Sequence, residues 1–292
     1  MYVTQKLAVT GPGLDNFNVP APVAVVGDVH GQGHGLKSLL DEMTACADFS
    51  HMVFLGDFID RGHDNLLALD LALNWTKTPV THLPGNHELM MADAMEEAKG
   101  KTFPQKRFQP TRTELWLMNG GDTFLDEAFT AMGTELPKTP AEALLVLDEY
   151  LTKTGLNVAT KVRNWKSHAT FGSLTCVHAG VARKHPLAHT LDKPQTTHLD
   201  DDFHWAWIRD SFLTWQRGFH GQLVTHGHTV PKTLQERSPR NEDDLVKILS
   251  RMATNARLCL DGGAGYGKGV AGAVFDGNTV QLFWAPCNGL TY

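Results

Sequence analysis

Cysteine is scarce in this chain of 292 residues, which contains only Cys46, Cys176, Cys259 and Cys287. None of them lies in a Cys-x-x-Cys pair, so the sequence gives no sign of a thiolate zinc site and indicates core thiols of a reducing compartment. The chain also lacks an apolar run long enough to span a membrane. Its N-terminus lacks the apolar core of a signal peptide. We therefore expect a cytoplasmic protein with no membrane partner.

An excess of positive charge is absent as well. The formal net charge is −6 at pH 7 with histidine counted as neutral, which argues against nucleic acid or an anionic membrane surface as a partner. The chain has no low-complexity segment, and 42% of its residues are hydrophobic, as in ordinary globular proteins. Because no linker separates its parts, we predict a single domain over residues 1–292. We also expect a monomer.

Three strand-turn-helix units follow a lead-in over residues 1–20, in which Tyr2–Val9 is a candidate edge strand. The polar residue after each strand recurs at a constant interval. Asp57 follows Asp28 by 29 positions, and Asn86 follows Asp57 by 29 positions. This interval is the length of a βα unit, and right-handed crossovers between parallel strands would bring the three turns to one sheet edge. The predicted strands are Val23–Val26, His51–Leu55 and Val80–Leu83, and the predicted helices are His34–Ala47, Asn65–Trp75 and Leu89–Ala98.

Between residues 99 and 170 the alternation of strands and helices stops. Apolar periodicity predicts helices here, and the region has no cluster of ligand-type residues. We interpret it as a helical insertion within the domain and assign it no chemistry. Its predicted helices are Thr113–Asn119, Thr123–Met132 and Ala141–Lys153.

The remaining third of the chain returns to strands, with one helix at Asp202–Trp215 and a charged surface loop at Ser238–Asp244. We expect these later strands to form a second, mixed sheet packed on the first. The predicted fold class is therefore α/β (α+β), a central β-sandwich of two mixed sheets flanked by helices. The later strands are Ser173–His178, Gln222–Thr225, Leu258–Leu260 and a hairpin of Gly269–Phe275 with Thr279–Trp284.

Five predicted strands end in a turn that carries Asp, Asn or His. One such residue alone would be ordinary, because Asp and Asn beside Gly are common turn residues. Ligand-type residues at successive strand ends indicate instead a metal centre at the edge where open α/β sheets bind ligands. Oxygen and nitrogen donors without thiolate suit Mn, Fe or Zn, and their number suits a bridged pair of ions. The candidate ligands are Asp28, His30, Asp57, Asn86, His178 and His228.

Three of these turns resemble the signature motifs of the metal-dependent phosphoprotein phosphatases, within the calcineurin-like metallophosphoesterase superfamily. They read Gly-Asp-Val-His-Gly at Gly27–Gly31, Gly-Asp-Phe-Ile-Asp-Arg-Gly at Gly56–Gly62 and Gly-Asn-His-Glu at Gly85–Glu88. The turns at His178–Gly180 and Gly227–Thr229 are similar to later ligand motifs in their bacterial and phage form. The resemblance runs from Val23 to Trp284 and implies a fold of the metallophosphoesterase type.

The resemblance implies two divalent ions and gives each a set of ligands. Mn²⁺ is the expected ion in vitro, with Fe and Zn as alternatives. The first ion would have Asp28 and His30, the second would have Asn86, His178 and His228, and Asp57 would bridge them.

The resemblance also implies a mechanism, in which a metal-bridging hydroxide attacks the phosphate directly. His87 would protonate the leaving alkoxide, and Asp60 would orient that histidine. Arg61 and Arg209 would hold the phosphate, in a site that Asn86 and His87 also line. These roles suit the chemistry, because a planar guanidinium matches phosphate oxygens and the pKa of histidine suits proton transfer near neutral pH.

Two assignments stay open at this point. His226 and His228 are two positions apart, which along a strand points both to one face. The Gly-His-Thr match favours His228 as the ligand and leaves His226 with a supporting or structural role. Trp205, Trp207 and Trp215 could line a substrate groove or simply pack in the core.

We expect hydrolysis of phosphomonoesters, with a phosphorylated protein or a small phosphoester as the partner. Phosphoserine and phosphothreonine are the expected targets, and phosphotyrosine is a further option. The alternative enzyme is a bis(5′-nucleosyl)-tetraphosphatase, because close bacterial relatives use the same motifs to cleave diadenosine tetraphosphate. An inactive relative that binds phosphoproteins should have lost a matched residue, and none is lost. A structural metal site should be closed and rich in thiolate, and these turns are not.

Overall fold

A computed structural model describes residues 5–9, 11–104, 107–182, 191 and 203–287 of the protein. The first three residues of the predicted edge strand Tyr2–Val9 lie outside these ranges, as does Asp202, where a helix is predicted to begin. All four cysteines are free thiols. Within the described ranges, the structure has no helix with the length and apolar character needed to cross a membrane.

Eleven β-strands in the described ranges form two mixed sheets, as predicted. In chain order they are β1 (Gln5–Ala8), β2 (Val19–Val26), β3 (His51–Phe54), β4 (Val80–His82), β5 (His168–Phe171), β6 (Leu174–Val177), β7 (Leu223–His226), β8 (Ala253–Thr254), β9 (Arg257–Cys259), β10 (Gly269–Gly277) and β11 (Thr279–Pro286). The first sheet has the order β1-β11-β10-β2-β3-β4, and the second has the order β5-β6-β7-β9-β8.

Helices flank both sheets, which confirms the predicted fold class. In chain order the described α-helices are α1 (Gly33–Cys46), α2 (Asn65–Leu73), α3 (Asn86–Ala98), α4 (Arg112–Trp116), α5 (Asp122–Met132), α6 (Pro140–Lys153), α7 (Val158–Val162), α8 (Asp210–Leu213), α9 (Lys232–Glu236) and α10 (Glu242–Met252). Helix α1 packs on β10 and β11, helix α3 packs against α4, α6 and α7, and α10 packs against β8 and β9.

The three strand-turn-helix units form as predicted, with β2, β3 and β4 in parallel. Val26 pairs with Phe54, and Phe54 pairs with His82, so the three strands end side by side. Strand β2 begins at Val19 rather than at Val23, and its last four residues are buried on both faces. One continuous hydrophobic cluster includes residues of both sheets. The exits of the parallel strands are therefore fixed on a shared core.

The C-terminal hairpin is placed wrongly in the sequence-based prediction, because β10 and β11 belong to the first sheet. Strand β10 runs antiparallel to β2, with Ala273 opposite Val25, and its residues from Gly269 to Phe275 are buried. The alternation along a hairpin predicts the two strands but says nothing of the distant strand that they join. Pairing partners far apart in the sequence are therefore beyond a local pattern.

The region predicted to be helical up to residue 170 ends earlier, since β5 begins at His168 and pairs antiparallel with β6. Helix α7 is an addition to the prediction. A π-helical turn at Leu117–Gly121 separates α4 from α5. Gly120 has a φ of 102° there, and its carbonyl accepts a hydrogen bond from the N–H of Arg61 at 3.1 Å. This turn thus brings the helical region to the strand-end turns.

The helix predicted at Asp202–Trp215 is wrong for most of its described length, because only α8 is helical there. The carbonyl of Trp205, which a helix would use internally, instead accepts the N–H of Ala179 at 2.9 Å. The loop predicted at Ser238–Asp244 is also wrong at its end, where α10 begins. The Asn241 side chain caps this helix by accepting the N–H of Asp244. Asn is a common residue at the start of a helix, but the charged residues around it led to the prediction of a loop.

At Gly27 the end of β2 lies close to the residue after β9, which provides a test of this packing. A Cβ atom at this position would lie 1.8 Å from the carbonyl oxygen of Leu260. We expect Gly27→Ala to lower the free energy of unfolding by more than about 2 kcal/mol, because the backbone of Leu260 must shift. Chemical denaturation measures this change. Gly35→Ala is the control, because its nearest contact would be 3.3 Å from a Val270 methyl, and an equal loss there would contradict the explanation.

Candidate metal centre

The carboxyl ends of five strands meet at one cleft of about 530 Å³. The first sheet contributes four of the predicted ligands, after β2, β3 and β4, and the second sheet contributes two, after β6 and β7. Helix α3 begins directly at the third of these exits, earlier than predicted. None of the six side chains is more than 8% exposed. The structure therefore brings together Asp28, His30, Asp57, Asn86, His178 and His228.

Left-handed backbone is concentrated in these turns. Five of the nine described non-glycine residues with a positive φ lie here, although such residues seldom adopt this conformation without a strong local constraint. Hydrogen bonds supply that constraint, because the carbonyl of Asp57 accepts the N–H of His30 at 2.9 Å. The five residues are His30 (φ 45°), Asp57 (φ 53°), Asp60 (φ 75°), Arg61 (φ 71°) and His228 (φ 64°).

Two imidazoles direct their Nε2 atoms at the Asp57 carboxylate. Nδ1 of His30 donates to the carbonyl of Ile59 at 3.2 Å, and Nδ1 of His178 donates to the carbonyl of Leu55 at 2.9 Å. The Nε2 atoms of His30 and His178 lie 3.6 Å and 3.4 Å from Asp57 Oδ2. Burial alone would lower the pKa of His178, but the Asp57 carboxylate outweighs it and raises that pKa. In the neutral form that binds metals, each Nε2 atom would direct a lone pair at the carboxylate, and a cation between them would stabilise this arrangement. This arrangement fits divalent metal ions.

A similar convergence surrounds Asn86. Its Oδ1 atom lies 3.0 Å from Nε2 of His178 and 2.7 Å from Nδ1 of His228. The Nε2 atom of His228 is buried and has no hydrogen-bond partner in the described part of the chain. An ion bound near Asn86 Oδ1 would account for the crowding of these atoms.

Two groups of three side chains have ligand atoms that all lie within 4.8 Å of one another. Asp57 belongs to both, as the bridging role requires. One group adds His178 and His228. The other adds His30 and His87, so the predicted acid, His87, lies as close to Asp57 as a metal ligand would. Asp28 is in neither group, although its Oδ2 atom is 3.9 Å from His30 Nε2.

The pKa shifts in the cleft follow from burial and from neighbouring charges. Burial raises the pKa of Asp28 well above its usual value, and the nearby Asp261 and Asp57 carboxylates add to this effect. Burial also lowers the pKa of His30 to about 4, which leaves the neutral form that binds metals. Burial alone would raise the pKa of Asp57, but the imidazoles of His178 and His87 outweigh it and lower that pKa.

His87 and Asp60 form a buried pair, with Nδ1 and Oδ2 2.7 Å apart. The indole N–H of Trp116 donates to both Asp60 oxygens, at 3.1 Å and 3.0 Å. Burial and the carboxylates of Glu88 and Asp57 raise the pKa of Asp60 well above its usual value, and burial lowers that of His87. Both shifts disfavour a separated ion pair. The pair therefore holds one proton in its hydrogen bond.

The two predicted phosphate-binding arginines both line the cleft. Nε of Arg61 donates to the carbonyl of Asn119 at 3.4 Å, so the π-helical turn positions this side chain. Nη1 of Arg209 donates to the carbonyl of His228 at 3.1 Å and to Oγ1 of Thr229 at 3.0 Å. Arg209 is exposed, and its guanidinium can reach an anion in the cleft.

The open assignments can now be compared with the geometry. His226 is buried beside Phe212, its Nδ1 lies 3.0 Å from the carbonyl oxygen of Gly227, and it is absent from both groups around Asp57. Trp205 is fully buried in the core. Trp207 lines the cleft and has a buried indole nitrogen without a partner in the described residues.

Sequence reasoning missed the part that Glu88 plays, although it lies in a matched motif. Its carboxylate accepts the N–H groups of Asp57 at 2.8 Å, Phe58 at 2.7 Å and Gly85 at 3.1 Å. Burial, with the nearby Asp57 charge, raises the pKa of Glu88 to about 7. A Glu three residues after a Gly that precedes a helix is a capping signal, and this signal could have identified it.

Comparison with known proteins now decides the family. Residues 21–249 match the model of the calcineurin-like phosphoesterases. The chain belongs to this family. Membership of the calcineurin-like phosphoesterases implies divalent metal ions, and the two groups around Asp57 are where this chain could hold them.

Two curated relatives are serine/threonine-protein phosphatases. Phosphatase 2 of Escherichia coli (strain K12) is 36% identical over 104 residues, and phosphatase 1 of Salmonella typhimurium (strain LT2) is 36% identical over 130 residues. The matches cover 35% and 44% of this chain, and they span only 39% and 50% of the length of the relatives. A crystal structure of a protein provisionally described as a diadenosine tetraphosphatase has 16% identity and a TM-score of 0.48, covering 97% of this chain and 99% of that one.

Glu88 provides a test of how the metal ligands are positioned. In Glu88→Gln, an amide NH₂ group replaces one carboxylate oxygen and cannot accept a backbone N–H. We expect metal affinity to fall by roughly 10–100-fold, as when other groups that orient metal ligands are removed. Titration of the metal-stripped protein with Mn²⁺ measures this change. Glu149→Gln is the matched control, since this exposed residue pairs only with Lys153 in the described structure, and unchanged affinity in Glu88→Gln would refute the assignment.

Proposed function

We propose that the protein is a two-metal phosphoesterase that hydrolyses phosphomonoesters, with phosphoserine and phosphothreonine in proteins as its substrates. The observation that carries this proposal is the position of Asp57, which belongs to both groups of candidate ligands. Two divalent ions bound there, with Mn²⁺ expected first and Fe or Zn as alternatives, would supply an activated water molecule and offset charge on the phosphate.

Phosphate binding is the task of Arg61 and Arg209. A phosphomonoester dianion needs positive charge around it as the bond to its leaving group breaks. Both guanidinium groups line the cleft with His87 and Asn86. The planar fork of each arginine can engage two phosphate oxygens. The substrate phosphate would thus be held beside the candidate acid.

Proton transfer to the leaving group is the task of His87. Its Nδ1 atom is engaged with Asp60, so Nε2 is the atom that can donate into the cleft. As Nε2 gives its proton to the alkoxide oxygen, Asp60 returns the shared proton to Nδ1. The number of protons on the imidazole is then unchanged, and Asp60 becomes a carboxylate that the Trp116 N–H stabilises.

Substrate identity separates this proposal from its competitor, a dinucleoside polyphosphate hydrolase. The serine/threonine phosphatase relatives favour phosphoproteins, although the matches cover only parts of those proteins. All matched motif residues are present, which argues against an inactive phosphoprotein-binding relative.

The variant His87→Asn tests the acid assignment. We expect turnover of a phosphoserine peptide to fall by about 10²–10⁴-fold, because its alkoxide leaves poorly without a proton donor. Turnover of p-nitrophenyl phosphate should fall less, because its leaving group needs little protonation. Bound metal should be retained, and loss of metal together with turnover would assign His87 as a ligand instead. Equal activity on the phosphoserine peptide would contradict the acid role.

A substrate comparison after metal stripping and reconstitution with Mn²⁺ tests the proposed function itself. We expect a phosphoserine peptide to be hydrolysed with a higher kcat/KM than diadenosine tetraphosphate. The stripped protein is the control and should be inactive on both. Preference for the dinucleotide by orders of magnitude would replace the phosphoprotein proposal with its competitor.

A further inference from the structure

A second pocket of about 740 Å³ adjoins the catalytic cleft. The two cavities share Val230 and Gln235 as walls. The second pocket is bounded by residues of β7, β9, α9 and α10, so its walls come from the second sheet and from the helices between β7 and β8. Nothing in the proposed mechanism uses this space.

Arg257 lies in the wall of this pocket and is only 4% exposed. Its Nη1 atom donates to the carbonyls of Phe212 at 2.8 Å and Trp215 at 2.7 Å, and its guanidinium lies over the Phe212 and Phe219 rings. Burial lowers the pKa of Arg257, and among the described residues no carboxylate opposes this effect. A buried, unpaired positive charge favours an anion beside it.

Two further cationic side chains line the pocket. Arg251 and Lys232 are exposed there, and Lys232 also lies 3.6 Å from Glu236. None of the lining residues is Asp or Glu, although the whole chain carries a net charge of −6. Cationic side chains around a buried guanidinium suit a carboxylate or phosphate group.

We propose that this pocket is a second anion-binding site, which takes a carboxylate or phosphate group beside the catalytic cleft. Two sources of that group fit the geometry. One is an acidic group of the phosphorylated substrate, a source that rests on the proposed function. The other is a free small anion that binds independently of substrate.

The pocket is connected to the catalytic cleft through Thr229. This residue lines the pocket, and its Oγ1 atom accepts a hydrogen bond from Nη1 of Arg209 at 3.0 Å. Its carbonyl oxygen accepts the thiol of Cys259 at 3.4 Å, and Cys259 also lines the pocket. An anion bound there contacts the segment that positions Arg209.

Binding is tested with sulfate, added to the metal-stripped full chain and followed by ¹⁵N–¹H amide shifts. We expect saturable shifts at Arg257 and Thr254, which line the pocket outside the catalytic turns, with affinity at least fivefold weaker when the exposed residues are changed in Arg251→Gln/Lys232→Gln. Lys37→Gln is the control, because this exposed residue pairs with Asp41 on α1, and it should leave the affinity unchanged.

Shifts confined to the catalytic turns would overturn the proposal, as would equal affinity in the double variant. Arg257→Gln is a further variant, and the exposed pair keeps the test valid if this variant does not fold.

Kinetics distinguishes the two sources of the anion. A phosphoserine peptide with a neighbouring Glu is compared with its Gln counterpart and with p-nitrophenyl phosphate. A loss of about fivefold in kcat/KM in the double variant for the Glu peptide alone identifies the substrate as the source. Weakened sulfate binding with no kinetic change identifies a free anion. If the wild type hydrolyses no phosphoester, the proposed function fails, while the sulfate titration still decides the second site.

Discussion

One buried carboxylate holds the exits of two neighbouring strands together. Glu88 accepts hydrogen bonds from the backbone of Asp57, Phe58 and Gly85, and so satisfies N–H groups that a buried turn would otherwise leave without a partner. The Asp57 side chain in turn accepts the N–H of His87 at 3.0 Å. The turn that carries the proposed bridging ligand and the helix that carries the proposed acid are therefore joined directly by hydrogen bonds. The position of Asp57 relative to His87 depends on them.

The same region concentrates negative charge away from water, which is costly without a counterion. Asp28, Asp57 and Asp261 are each at most 1% exposed, and the last two contribute to the raised pKa of Asp28. Left-handed backbone at His30 and His228 adds local strain. Bound cations would offset the charge, so metal binding and the stability of these turns are linked. The site therefore brings together groups whose mutual repulsion bound cations would relieve.

Local patterns predicted the strand ends well, because burial and turn chemistry act within a few residues. Asp28 and Asn86 are separated by two βα units, and this spacing alone predicted that they lie close together. Long-range pairing was not predictable in this way. The hairpin that begins at Gly269 lies in the first sheet. The carbonyl of Trp205 accepts the N–H of Ala179 instead of an N–H within a helix. The contacts of these segments are made with residues far away in the chain, which no local periodicity reports.

The two groups around Asp57 differ in how much of the chain each requires. His30 and Asp57 lie on strand-end turns of the first sheet, and His87 lies in the first turn of α3. The other group needs His178 and His228, which the second sheet supplies. The scaffold does not differ in the same way, because the first sheet is itself completed from the end of the chain, where β10 pairs with β2. Both groups therefore rest on segments far apart in the sequence, and a truncation before Gly269 would remove support from the first group as well as from the second.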